Sequence, residues 1–169
     1  MNELPPAGDF ELLARGVRPR QNARLRLWLR LLSTTKLVMQ EIRRRLRDEF
    51  DATLPQFDLL AQLYREPEGL RLGELSRRTM VTNGNITGLA DRLEADGLIR
   101  RETLEADRRV TVARLTRKGR DAFMTMAKAH EGWIRELMAD LNDDEIDVAL
   151  ARLASVKNSA RSALGRIGE

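Results

Sequence analysis

The stretch that decides the fold is residues 72–119, LGELSRRTMVTNGNITGLADRLEADGLIRRETLEADRRVTVARLTRKG. Its hydrophobic period changes part-way. Leu72–Thr79 reads as a short helix and Met80–Val81 as a turn. Asn83 is placed to cap a helix that runs to Ala95 and stops at Gly97, a glycine just past the helix end. Ile86, Leu89, Ala90 and Leu93 recur at helical spacing and form its inner face. Gly84, Asn85, Thr87, Gly88, Asp91 and Arg92 are left outside. Leu98–Glu102 then reads as a strand and Ala106–Arg109 as a tight polar turn. Val110–Thr116 alternates and reads as the return strand of a hairpin. Helix, turn, helix and hairpin make a winged helix-turn-helix.

Outward from this core the chain is helical. Residues 22–50 lack Gly and Pro, and Leu25, Trp28, Leu32, Met39, Ile42, Leu46 and Phe50 recur at spacings of three, four or seven. They predict one amphipathic helix of ~42 Å, longer than a compact single domain needs, which suggests a second chain to bury it. Thr53 is a candidate N-cap beside Pro55 for a helix ending before Pro67 and Gly69. Thr116 caps a further helix from Arg117 to about Leu141. Asn142 or Asp143 caps a last one, from Asp144 to about Leu164, with Ile146, Leu150, Leu153 and Val156 on one face. The fold class is mainly α with a small β-hairpin wing. Residues 1–21, with Pro5, Pro6 and Pro19, read as a flexible arm. Residues 53–116 read as the DNA-binding domain, and 22–52 with 117–169 as a helical dimerisation region.

The winged module has a physical logic for DNA. An α-helix fits the major groove, Asn can bond an adenine edge with two hydrogen bonds, and Thr can touch a thymine methyl. Ser76, Arg77, Thr82, Asn83, Asn85, Thr87 and Arg92 are the DNA-contact candidates on the two helices and the turn between them. At the hairpin, Asp107, Arg108 and Arg109 put Arg where a narrow minor groove would accept it. Arg78, Arg117, Lys118 and Arg120 are further phosphate candidates. Two glycines on the outer face of the second helix cost ~1 kcal/mol each in helix propensity. That cost suggests close approach of a backbone, either DNA or the preceding helix.

Composition narrows the function. Of 169 residues, 30 are Lys or Arg and 26 Asp or Glu, for a net charge of +4. The basic side chains are nearly all Arg, whose planar fork suits phosphates and base edges. Residues 1–50 and 71–120 are net basic, and the segments between and after them are mildly acidic, which points to localised anion binding. There is no cysteine and one histidine, His130. These exclude a disulfide, a cysteine zinc site, a thiol sensor and, within one chain, any site needing two histidines. No cofactor and no metal are expected; the acids at 140–147 suit a helix N-terminus through its dipole. No apolar run approaches a membrane span and the N-terminus is not a signal peptide, so the expected location is the cytoplasm. No GxSxG, GxxxxGK[ST] or GxGxxG occurs, and no nucleophile, base and polarising group fall together, so an enzyme is not expected.

Residues 72–119 resemble the winged-helix core of MarR-type transcription regulators, above all in LADRLEADGLIRR, the DRR of the wing and the VARLTRKG exit. The resemblance extends loosely over residues 22–165. It implies a homodimer whose N- and C-terminal helices interlock, a recognition helix at Asn83–Ala95, and a wing in which Asp107 braces an arginine, Arg109 or else Arg108, that enters the minor groove. It also implies double-stranded DNA with a pseudo-palindromic operator as partner. The stretch VTNGNITGLADRL resembles a branch of the family that regulates breakdown of aromatic acids, some members of which respond to the acyl-CoA thioester. The expected function is therefore a repressor released by a small-molecule effector, an aromatic acid or its CoA thioester. Arg24, Arg26, Trp28, Arg30, Tyr64, His130 and Trp133 are the ligand-binding candidates, set against plain packing or a solvated face. The alternative is an architectural protein that binds DNA without sequence preference or ligand control.

Overall fold

The computed structural model describes residues 22–79, 83–104 and 107–167. The N-terminal arm, Met80–Thr82 and residues 105–106 lie outside the described residues. Helix α1 is Ala23–Phe50, 28 residues, as its apolar spacing predicts. It buries only Leu29, Ile42 and Leu46. The basic run near its end is laced to its own acids: Glu41 accepts from Arg44 at 2.7 and 2.9 Å and from Arg45 at 2.6 Å, and Asp48 accepts from Arg44 at 2.9 Å. The hydrogen bonds from Arg44 and Arg45 lower the Glu41 carboxyl to about 2. Asp51 ends the helix in the left-handed region, φ 50°, where its N–H bonds the Arg47 carbonyl and the Ala52 N–H bonds the Leu46 carbonyl. Asp is among the few side chains that tolerate this conformation.

Helix α2, Leu54–Arg65, opens on a full capping box. The Gln56 N–H donates to Thr53 Oγ1, and the Thr53 N–H donates to Gln56 Oε1 at 2.8 Å. Two of the helix's orphan donors are thereby satisfied. A two-residue strand β1, Leu70–Arg71, precedes α3, Leu72–Arg78. Helix α4, Asn83–Ala95, ends where the sequence predicts and takes in Asn83, which the sequence reading made its cap. Strands β2, Ile99–Leu104, and β3, Asp107–Leu115, form the hairpin.

Two features of the sheet differ from the sequence reading. It has three strands, in antiparallel order β1-β3-β2, with Leu70 opposite Ala113 and Arg71 opposite Val112. Gly69 permits this crossing. Its φ is +83°, and a Cβ there would come 2.5 Å from the Ala113 carbonyl oxygen. The wing turn is also shorter than expected. Asp107 pairs with Leu104, so β3 claims Asp107, Arg108 and Arg109, which the sequence reading put in the turn.

Helix α5, Arg117–Leu137, starts as Thr116 predicts but ends four residues before Leu141. Beyond it the N–H groups of Ala139 and Leu141 reach back only three residues, to Glu136 and Met138, so the chain tightens into a turn. Asn142 then caps α6, Asp143–Ile167, through reciprocal 3.0 Å bonds with Glu145. The acids of this segment thus serve a helix start. No helix among the described residues is long and apolar enough to cross a membrane.

The chain divides into two compact units, one ending at Glu131 and one spanning Gly132–Glu169. The first holds a hydrophobic core in which Leu46, Leu59, Leu60, Leu63, Leu75, Leu93 and Ile99 are fully buried. In the second, Trp133 is buried, whereas α6 leaves Val148, Leu150, Leu153 and Leu164 exposed.

Candidate nucleic-acid interface

Helix α4 divides as its spacing predicts. Ile86, Ala90 and Leu93 are buried, while Asn85, Thr87, Gly88, Asp91 and Arg92 are exposed. The outer face is small and polar. A Cβ on Gly88 would meet nothing within 4 Å. Packing against the preceding helix therefore does not explain this glycine, and close approach from outside the chain is the reading that survives.

Three devices set the helix in place. At its C-terminus the Leu98 N–H bonds the Leu93 carbonyl and the Gly97 N–H the Glu94 carbonyl, with Gly97 at φ +70°. This six-to-one and five-to-two pair is the Schellman closure. From β2, Arg101 reaches back across the helix. Its guanidinium donates to Glu94 Oε2 at 2.6 and 2.8 Å and pairs with Asp91 at 2.7 Å, and its own N–H donates to Glu94 Oε1 at 2.8 Å. These bonds hold the Glu94 carboxyl below the usual carboxylate range. Partly exposed ion pairs stabilise by only about 0.2–1 kcal/mol, so the clamp matters chiefly for orientation. From α5, Lys118 Nζ donates to the Asp96 carbonyl at 2.7 Å and Thr116 Oγ1 to the Gly97 carbonyl at 2.7 Å. Thr116 Oγ1 also accepts from the Gly119 N–H at 2.9 Å. The end of α4, the start of β2 and the start of α5 are thus joined through one knot of backbone and side-chain bonds.

The other DNA-contact candidates are distributed unevenly. Arg77 is exposed on α3, whereas Ser76 is buried. Arg78, read as a phosphate candidate, is paired to Glu66 at 2.9 Å and to Glu74, and so braces α3 against the loop after α2. Arg120 lies over the Tyr64 ring, 5.1 Å from its centroid. Thr82 lies outside the described residues, as do the side chains of Asn83, Asp107, Arg108 and Arg109. Arg101 is the residue that sequence reasoning missed. Its signal was the acid pair Asp91 and Glu94, three apart on one helix face, followed by a basic pair at the start of the next strand.

The ligand candidates lie on three helices, α1, α2 and α5. Tyr64 and His130 join an aromatic cluster: Phe57 lies 5.1 Å from His130 and 5.6 Å from Phe123, and Tyr64 4.9 Å from Phe123. Burial pushes the His130 imidazole down and the neighbouring Asp58 carboxyl up, each opposed by the charge of the other. Trp28 is 56% exposed on α1, along with Arg24 and Arg30, and Arg26 is half-buried there. Trp133 belongs to the second unit. A groove of about 500 Å³ opens elsewhere, among the end of α1, the start of α2, the end of α4 and the start of α5, and none of the seven candidates lines it. Among the described residues no group of three His, Cys, Asp or Glu side chains is arranged to hold a metal ion.

The arrangement has relatives. The family model for MarR matches residues 52–111. A MarR family transcriptional regulator from Silicibacter pomeroyi is 35% identical, with a TM-score of 0.72 over 85% of this chain and 99% of that one. The chain belongs to the MarR family. Among curated relatives of this MarR-family chain, the regulator PecS of Dickeya dadantii is 25% identical over 90% of this chain and 87% of its own length. The uncharacterised helix-turn-helix regulator YdgJ of Bacillus subtilis is 26% identical, over 62% of this chain and 63% of its own length. The MarR-family chain is therefore a DNA-binding transcriptional regulator, with α3 and α4 as its helix-turn-helix and β2–β3 as its wing.

Proposed function

We propose that the protein is a homodimeric, sequence-specific repressor, released from a pseudo-palindromic operator by a small-molecule effector. The outer face of α4 carries this reading: exposed Asn85, Thr87 and Gly88 on a helix fixed at its far end by Arg101 and Lys118. Two such helices in a dimer would enter successive major grooves ~34 Å apart. Dimerisation is supported by apolar side chains left in water: Leu25, Leu27, Trp28 and Leu37 on α1, and Val148, Leu150, Leu153 and Leu164 on α6. Each such side chain contributes about 1.5–3 kcal/mol when fully buried, so a second copy that covers them is strongly favoured. Residues 22–52 and 117–169 are accordingly assigned to dimerisation and 53–116 to DNA, with the cytoplasm as the site of action.

For the effector, the Phe57, Tyr64, Phe123 and His130 rings favour an aromatic body, and Arg24, Arg26 and Arg30 suit the phosphates of a CoA thioester. The effector acts only through a difference in affinity between the DNA-competent and released spacings of the two lobes.

Fluorescence anisotropy on the chain's own upstream intergenic DNA, against a scrambled duplex at fixed salt, tests the reading. Binding tenfold or more tighter to the native fragment is expected, reversed by an aromatic acid or its CoA thioester. Equal binding to both duplexes would favour an architectural DNA-binding protein instead.

A further inference from the structure

Helix α6 carries a repeat that its cap does not require. Ile146, Leu150, Leu153, Lys157, Ala160 and Leu164 follow one another at alternating spacings of four and three, the d and a positions of a seven-residue repeat. They form one seam about 27 Å long. Leu150 is 60%, Leu153 47% and Leu164 68% exposed. Charge beside the seam is divided by halves. Asp143, Asp144, Glu145 and Asp147 stand among the first five residues of the helix, whereas residues 156–165 hold Lys157 and Arg161 and no acid. The helix dipole accounts for charge in the first and last turns only. Asp147 lies past the first turn and Arg161 well before the last. Neither has an ion-pair partner among the described residues. Both fall at e positions, directly after Ile146 and Ala160, where a paired helix would meet them.

We propose that this seam is covered by the same seam of a second copy, laid antiparallel, and that Asp147 and Arg161 are the residues by which the chain selects itself as partner. The proposal rests on the dimer reading and adds to it the orientation and the selectivity. In antiparallel register Ile146 faces the second copy's Leu164, Leu150 faces its Ala160 and Leu153 faces its Lys157. The Lys157 stem then lies along a leucine and its ammonium reaches water. On one flank Asp147 comes beside the second copy's Arg161, and Arg161 beside its Asp147. On the other flank Ala149 meets Ala163 and Val156 meets Val156. Both charged contacts are therefore opposite in sign. In parallel register Lys157 would face Lys157 within the seam and the acidic halves would lie side by side, so like charges would oppose that arrangement. Helix α1 suits the seam less well. Its residues 23–40 hold Arg24, Arg26, Arg30 and Lys36 and no acid, so it matches only the acidic half of α6. A chain of the same fold with other charges at these two positions is rejected by the same rule.

Two charge reversals test this on the full chain. Asp147→Arg turns both flanking contacts into Arg against Arg, and Arg161→Asp turns both into Asp against Asp. Mixed together, the two variants restore both opposite-charge contacts in a heterodimer. Both positions are exposed, and circular dichroism checks the fold. By sedimentation equilibrium each variant alone is expected to dimerise about tenfold more weakly than wild type, as two exposed pairs change from attraction to repulsion. Native mass spectrometry of the equal mixture should then show about nine-tenths heterodimer, against the share of about half that chance gives. The double variant Asp147→Arg/Arg161→Asp should regain wild-type affinity. A chance share of heterodimer, with both variants dimerising like wild type, would overturn the selection by charge. A weakened Asp147→Arg beside a strengthened Arg161→Asp would place α6 against the arginine-rich start of α1 and overturn the antiparallel pair. A wild type that is monomeric at micromolar concentration would instead count against the dimer reading itself and take the pairing with it.

Discussion

Gly119→Ala adds one methyl group where the structure has no room. The new Cβ would sit 2.7 Å from the Leu98 carbonyl carbon, 3.1 Å from Leu98 Cα, and closer still to the Leu98 oxygen. Ordinary contact begins at 3.4 Å, and the obstructing atoms are backbone. Helix α5 must therefore move away from the start of β2. Overpacking of this kind costs about 1–3 kcal/mol, and the rigid neighbour argues for the upper end. The displacement also stretches the bonds from Thr116 Oγ1 to Gly97 and from Lys118 to Asp96, each worth about 0.5–1.5 kcal/mol. Better helix propensity returns up to ~1 kcal/mol. The net loss is about 3 kcal/mol, or a fall in Tm of roughly 6–12 °C for a chain of this size.

Gly88→Ala is the matched control. It makes the same chemical change on a helix where the Cβ meets nothing. Propensity alone then acts, and Tm should rise by roughly 2–4 °C. Operator affinity should nevertheless fall if the proposed reading holds, because the added methyl group stands on the exposed face of α4 assigned there to DNA. Thermal scans and anisotropy on the three proteins give the comparison. An unchanged Tm for Gly119→Ala would refute the knot joining α4, β2 and α5. A Gly88→Ala protein that is more stable and binds DNA normally would remove the close-approach argument for that glycine.

Other outcomes follow from single residues. Asn85→Ala should cost about 1–3 kcal/mol at one base pair of each half-site, read by anisotropy on a panel of operator variants; an equal loss on all sequences would make it a backbone contact. Arg109→Ala should weaken operator binding and leave Tm in place, and normal affinity would take the wing out of the interface. Leu153→Glu should shift the sedimentation coefficient from dimer to monomer at micromolar protein, and a stable dimer would move the interface off that face of α6. Asp58→Asn should raise Tm at pH 7.5. Burial raises the Asp58 carboxyl in the fold, so its favourable contribution is complete below the unfolded value near 3.8 and is lost as pH rises through the folded one. Burial also lowers the His130 imidazole, so it is neutral at pH 7.5. The difference between the two proteins should vanish below about pH 4, and a destabilised variant at pH 7.5 would contradict the sign.

What the sequence made legible is what short-range periodicity and caps determine. The end of α4 at Ala95, the stop at Gly97, the caps at Thr53 and Thr116 and the buried side of α4 all follow from residues within a few positions of one another. β1 was missed because two residues, Leu70 and Arg71, carry no alternation; only the register of β3 opposite them makes a strand. The wing turn was read too long because Asp, Arg and Arg are turn-like in composition, while pairing of Asp107 with Leu104 is a property of the hairpin's far side. The end of α5 was read too late because Met138 and Leu141 continue the apolar spacing past the point where the hydrogen bonds shorten.

The site divides along the same line. Of the candidates chosen because a residue type suits DNA, Asn85, Thr87 and Arg92 fall on the exposed face of α4, since face is a matter of spacing. Arg101 was invisible by that logic. It lies seven residues beyond Glu94 and ten beyond Asp91, across a helix end and a positive-φ glycine, and only the Schellman closure turns the chain so that the three meet. The groove was invisible for a stronger form of the same reason, being assembled from four elements that are up to 76 positions apart. If Arg101 orients rather than binds, Arg101→Lys should separate the two roles. Lysine keeps the charge but not the fork that holds Glu94 and Asp91 together. The salt dependence of operator binding should then be unchanged, because no phosphate contact is lost, while discrimination between native and scrambled DNA narrows. A reduced salt slope with discrimination intact would instead make Arg101 a phosphate contact, and the clamp would not be what sets the recognition helix.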